Sequence, residues 1–202
     1  MIHLLLTSPR TGSTWYSGHL AKQYMCKELG EYFHQSVSDT HEDRLAYISL
    51  NTNTFLVKLF YSQAVDSPVE HLLDKCINIA KTKTILLRRD IDAQIQSLYV
   101  AAQYERYKNP DSETKVTYQT HFSEPFRVTY DHDLFSSLKE RTETDILELA
   151  KIYQAGLGFN LVFLEDIKDT AITLVRPGKL YRPTVWDFEP EKTQLKITDL
   201  FT

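Results

Sequence analysis

Ser8-Pro9-Arg10-Thr11-Gly12-Ser13-Thr14-Trp15 is a loop suited to meet an anion. It follows the apolar run Ile2 to Leu6 and precedes residues with helix-like apolar spacing: Trp15, Leu20, Tyr24 and Met25. Between a strand and a helix, backbone N–H groups and the helix dipole point at an incoming negative charge. Gly12 permits close approach of the chain, and Ser13 and Thr14 add hydroxyl donors. Arg10 adds a planar cation that matches phosphate or sulfate. The pattern is not a Walker A loop, because G-x-x-x-x-G-K-[ST] is absent and no Lys precedes the hydroxyl pair. That counts against a Mg²⁺-dependent ATP or GTP kinase. The plainer use of the same residues is a helix start capped by Ser or Thr.

Other polar residues stand where apolar runs end. Phe55-Leu56-Val57 leads into Lys58, Thr84-Ile85-Leu86-Leu87 into Arg88-Arg89-Asp90, and Leu161-Val162-Phe163-Leu164 into Glu165-Asp166. Ser97 stands eight positions after Arg89.

Taken together, these motifs resemble the sulfotransferases that use 3′-phosphoadenosine 5′-phosphosulfate (PAPS). The family's 5′-phosphosulfate loop follows its first strand and is similar to Pro9-Arg10-Thr11-Gly12-Ser13-Thr14-Trp15. Arg10 stands where many cytosolic members have Lys, as in the bacterial trehalose-type enzymes. The family's 3′-phosphate element pairs a strand-end Arg with a Ser eight positions on, and Arg89 and Ser97 match it. Eight residues are just over two helical turns, so both side chains can face one point near the helix start. Arg88-Arg89-Asp90 with Gln94, the strand ending in Lys58, and the late strand ending in Glu165-Asp166 also look like that subgroup. Leu164 departs from the usual Tyr. The family's basic C-terminal loop is represented at best by Arg176-Pro177-Gly178-Lys179.

The resemblance implies a set of roles. Arg10 would stabilise charge on the leaving phosphate oxygen. Pro9, Thr11, Gly12, Ser13 and Thr14 would line the 5′-phosphate. Arg89 and Ser97 would hold the 3′-phosphate, and Arg176 and Lys179 would close on it or form a solvated basic tail. Lys58 would be a second cation at the sulfuryl group. Glu31 is the first candidate for the base, since Glu31-Tyr32-Phe33 is similar to the trehalose-type base context; His34 is the second. The donor is PAPS, no metal is expected, and the acceptor is a small molecule or carbohydrate. Two alternatives stay open: a P-loop nucleotide kinase or hydrolase, and a non-catalytic relative that binds a nucleotide or a partner.

Short apolar strands alternating with helices must position these residues. That alternation predicts an α/β three-layer sandwich with a central, mostly parallel sheet. Ligands in such folds sit beyond the carboxyl ends of the strands, where these residues fall. Helices are expected over about Trp15–Leu29, Glu42–Leu50, Val69–Ala80, Ile91–Tyr107 and Leu134–Ala155. Strands are expected at the opening run, Thr54–Phe60, Thr84–Leu87 and Leu161–Leu164. Residues 108–131 read as an insertion or lid, and the tail from about 168 as irregular.

With 202 residues, the chain fits one domain, 1–202, with a core of ordinary size. Its 23 Lys and Arg against 27 Asp and Glu give a net charge of −4, unlike a nucleic-acid binder. No apolar run is long enough to span a membrane, and the opening run lacks the basic leader of a signal peptide. Two cysteines are too few for a disulfide framework. A reduced, cytoplasmic protein of unassigned oligomeric state is the expectation.

Overall fold

Five runs of apolar or mixed residues pair side by side into a single all-parallel sheet in the computed structural model, which describes residues 1–34, 39–108, 128–168 and 191–201. The strands are β1 (Ile2–Thr7), β2 (Lys27–Glu31), β3 (Phe55–Phe60), β4 (Ala80–Leu87) and β5 (Phe159–Phe163), in the order β2-β3-β1-β4-β5. Every residue of β1 and β3 is buried, as expected for central parallel strands covered on both faces.

Alternate side chains serve opposite faces. Leu5, Leu56 and Leu86 pack with Tyr16 and Leu20 of helix α1 (Ser13–Gln23). Leu4, Leu6, Val57, Leu59, Ile85 and Leu87 join the larger core on the other face. That core includes residues of α2 (His41–Leu50), α4 (Leu72–Ile79), α5 (Ile91–Lys108) and α6 (His132–Gln154). Two short helices, α3 (Tyr61–Val65) and α7 (Leu164–Lys168), follow β3 and β5 directly. A 3₁₀ turn spans Ile197–Leu200. The coarse expectation of a sheet between helical layers is met, and the sheet is wholly parallel.

Several boundaries differ from expectation. The first helix does not reach Leu29. It ends at Gln23, Met25 takes a left-handed backbone (φ 49°), and Lys27–Glu31 forms an edge strand. Its sequence, Lys-Glu-Leu-Gly-Glu, has no apolar run, because an edge strand pairs on one side only and tolerates charge. Glu31 is therefore the end of a strand and not a loop residue. The helix expected from Val69 starts at Leu72, and Ala80 already belongs to β4. The last strand lies two residues earlier than expected at its start, and Leu164 opens a helix. Of the expected lid, residues 109–127 lie outside the described residues, as do 169–190 of the tail. Val128 is buried, and Tyr99 donates its hydroxyl to the Thr129 carbonyl at 2.7 Å.

One acid of α6 is buried, next to the Arg141–Asp66 ion pair that reaches the end of α3. Asp145 is 3% exposed, and its Oδ2 has no hydrogen bond among the described residues. Burial pushes its carboxyl up to about 7, nearby Asp66 adds to the shift, and Arg141 opposes it. Its ordinary value is 3.8, so between about pH 4 and 7 the folded chain keeps a proton that the unfolded chain has lost. Stability contributed by this group is complete below that window and is lost as pH rises through it. Asp145→Asn is expected to remove a slope of up to about 1.4 kcal/mol per pH unit. Urea melts at pH 5 and pH 8 measure it: the wild type should weaken at pH 8 relative to the variant, and an unchanged slope assigns it elsewhere.

Candidate functional site

The crevice at the carboxyl ends of β1 and β4 is where the chain's direction of travel divides. The connection leaving β1 runs to the β2 edge, and that leaving β4 runs to the β5 edge. Such a division opens a gap between two loops, the usual place for a ligand in a parallel sheet. Residues 8–14 fill its rim.

The loop is curled by two left-handed residues, Arg10 (φ 65°) and Gly12 (φ 82°). For Arg10 that conformation is costly unless the surroundings enforce it. They do so through buried hydrogen bonds. Gln94 of α5 donates from one amide nitrogen to Ser8 Oγ at 2.8 Å and to the Pro9 carbonyl at 2.7 Å. Thr7 donates to the Leu86 carbonyl of β4 at 2.8 Å, and its hydroxyl oxygen lies 2.7 Å from that of Thr11. Thr11 Oγ1 is also 3.1 Å from the Ser8 carbonyl. The Thr11 hydroxyl therefore braces the loop from inside, and its backbone is what remains to meet an anion. Gly12 caps α1, its carbonyl accepting from the N–H groups of Trp15 and Tyr16.

Arg10 and Ser97 meet: the guanidinium Nε donates to Ser97 Oγ at 3.0 Å. Burial lowers the Arg10 pKa from its usual value, and the like charge of Arg88 lowers it further. Arg89, expected to face one point with Ser97, has a different partner. Arg89 instead forms a bidentate pair with Asp166, through Nη1 to Oδ1 and Nη2 to Oδ2 (2.9 Å). Its guanidinium also stacks over Phe163, 4.4 Å from the ring centre. Glu165 accepts the Arg89 N–H at 3.0 Å and lies 3.8 Å from Arg88. Arg88 thus faces Glu165.

On the other side of the loop stand Lys58 and Glu31. They are register partners on β3 and β2, so the strands themselves bring them together. Lys58 is buried, donates to Thr14 Oγ1 at 3.0 Å and lies 3.3 Å from Glu31 Oε1. Glu31 is about one-third exposed, at 36%, so one face of its carboxylate remains open. Gln63 of α3 donates weakly to its other oxygen at 3.5 Å. His34 closes the turn after β2, donating its N–H to the Glu31 carbonyl at 2.9 Å. Ser13 begins α1 and is buried, while Thr14 is exposed. Arg176 and Lys179 lie outside the described residues.

Arg44 went unnoticed in the sequence. It is 1% exposed, and one Nη donates to the carbonyls of Tyr32 (2.9 Å) and His34 (2.8 Å). It fixes the turn that carries both candidate bases. The available signal was an Arg on the inward side of a helix, one turn before the buried Ile48.

The site combines a curled anion loop, four cations and one half-open carboxylate. It fits electrophilic group transfer: cations hold a charged donor while the carboxylate takes a proton from the attacking group. Among the described residues no group of three or more His, Cys, Asp or Glu is arranged to hold a metal ion, and no helix is long and apolar enough to cross a membrane. The chain matches no family model and no curated protein.

Gly12 offers a direct check of the loop. A Cβ there would lie 2.9 Å from both Leu164 methyls, besides the strained φ. Gly12→Ala is expected to cost about 1–3 kcal/mol in thermal denaturation. Adding Leu164→Ala should relieve the contact but leave the backbone strain, so recovery is partial. A neutral Gly12→Ala contradicts the described packing.

Proposed function

We propose that this chain is a sulfotransferase, moving a sulfuryl group from PAPS to a hydroxyl or amine of a small-molecule or carbohydrate acceptor. The observation that carries the reading is the Thr14–Lys58–Glu31 chain beside the loop: 3.0 Å and 3.3 Å link the anion loop, a buried cation and an open carboxylate. Sulfuryl transfer needs those three parts side by side. The bond between sulfur and the phosphate oxygen breaks, a bond from sulfur to the acceptor forms, and the acceptor's proton must leave.

Each residue then has a task. The backbone N–H groups of Thr11, Gly12, Ser13 and Thr14 hold the 5′-phosphate at the start of α1, whose dipole favours negative charge, and Pro9 lines the site. Arg10, its fork steadied by Ser97, stabilises the charge that develops on the departing phosphate oxygen. Lys58 stabilises the sulfuryl oxygens in flight. Glu31, 3.3 Å from Lys58, accepts the acceptor's proton. His34 is the second candidate for that proton. Arg89 binds the 3′-phosphate, which requires it to share or leave Asp166. By analogy with phosphoryl transfer, positioning and charge stabilisation supply most of the rate. The reading carries with it a reduced, cytoplasmic setting, in keeping with the free thiols of Cys26 and Cys76.

The test is transfer of label from ³⁵S-PAPS to a panel of hydroxyl and amine acceptors. Glu31→Gln should lower turnover about 10²–10⁴-fold and leave donor affinity unchanged. Wild-type turnover in Glu31→Gln would remove Glu31 as the base and pass the role to His34. No transfer by the wild type, with ATP–Mg²⁺ bound in preference to PAPS, would contradict the reading and favour a kinase or hydrolase.

A further inference from the structure

Arg88 has no part in the roles above, yet its surroundings single it out. It directly follows β4, whose Leu86 lies opposite Thr7 at the end of β1, so it stands beside the start of the anion loop. Its side chain is 22% exposed. Its Nε is buried and has no hydrogen bond among the described residues. Among the described residues its ion pair is to Glu165 Oε1 at 3.8 Å, too long for a hydrogen bond. Glu165 meanwhile uses its other oxygen to accept the Arg89 N–H.

Arg10 is the second member of the cluster. It is held by Ser97, and burial first and the Arg88 charge second lower its pKa. Guanidinium groups near one another repel, and burial raises the cost. An anion between them reverses the sign of that interaction. Among the described residues, the ion pairs of Glu165 and Asp166 go to Arg88 and Arg89.

We propose that Arg88 is a second cation of the loop's anion site, gripping together with Arg10 a phosphate or phosphosulfate group at the end of β1. Glu165 orients Arg88 and leaves the rest of its fork available. On the PAPS reading, on which this assignment of the ligand rests, the group is the 5′-phosphate. Arg88 then differs from Arg89, which serves the 3′-phosphate. The two adjacent arginines have separate duties: one acts on every 5′-phosphorylated ligand, the other only on those with a 3′-phosphate.

Calorimetric titration of the full chain with inorganic pyrophosphate, AMP and adenosine 3′,5′-bisphosphate tests this. Arg88→Gln should weaken all three alike, by about tenfold or more. Arg89→Ala should weaken the bisphosphate alone. Unchanged pyrophosphate and AMP binding in Arg88→Gln overturns the proposal, and so does a loss confined to the bisphosphate. A measurement on the wild type guards against a variant that fails to fold: pyrophosphate should protect Arg88 and Arg10 together from phenylglyoxal, read by peptide mass. Modification of Arg88 at an undiminished rate overturns the proposal. Failure of the PAPS reading looks different. The wild type would then hold pyrophosphate, lose it in Arg88→Gln, and show no preference for the bisphosphate over AMP.

Discussion

The hydrogen bonds from Gln94 and Thr7 into residues 8–11 are the constraint on which the site depends. They join α5, β1 and β4 to one loop, and they hold Arg10 in a backbone conformation that an arginine otherwise avoids. The Gln94 side chain is fully buried, so each of these bonds is made where water cannot replace it. Once the loop is fixed, Arg10 reaches Ser97, and α1 begins where its first N–H groups border the crevice. The same bonds tie the loop to α5 and so to the core on the far face of the sheet.

Register does the equivalent work on the other side. Parallel pairing of β2 with β3 sets Glu31 beside Lys58, and Arg44 secures the turn that follows. A buried lysine is expensive without a partner. Lys58 has both a hydroxyl and a carboxylate, and both belong to the rim of the crevice. The cost of burying that charge is thus offset by groups that also suit the chemistry.

Central strands and the loop after β1 were legible because apolar runs of five or six residues next to Gly, Pro and hydroxyl residues have few other uses. Strand β2 was not legible: Lys-Glu-Leu-Gly-Glu has no periodicity, and only its pairing with β3 makes it a strand. The side-chain partners were equally hidden. Helical spacing correctly put Ser97 on the crevice side of α5, but it could not say that Arg10 would take its hydroxyl and Asp166 would take Arg89. Those choices depend on how β5 and α7 lie against β4, a long-range packing outcome. Gln94 was visible as a motif residue, and its clamp on the loop emerged only from the fold. The Arg88-Arg89 pair reads as one basic step in the sequence, while the fold sends the two side chains to different acids.

The central claim is that the crevice holds a nucleotide with phosphate on both ends of its ribose. Competition between adenosine 3′,5′-bisphosphate and AMP for the wild-type chain tests it most directly. The account predicts that the bisphosphate binds about 10–100-fold tighter, because a second phosphate gains charge-assisted hydrogen bonds from Arg89. Equal affinities, or stronger binding of ATP–Mg²⁺ than of the bisphosphate, would contradict it.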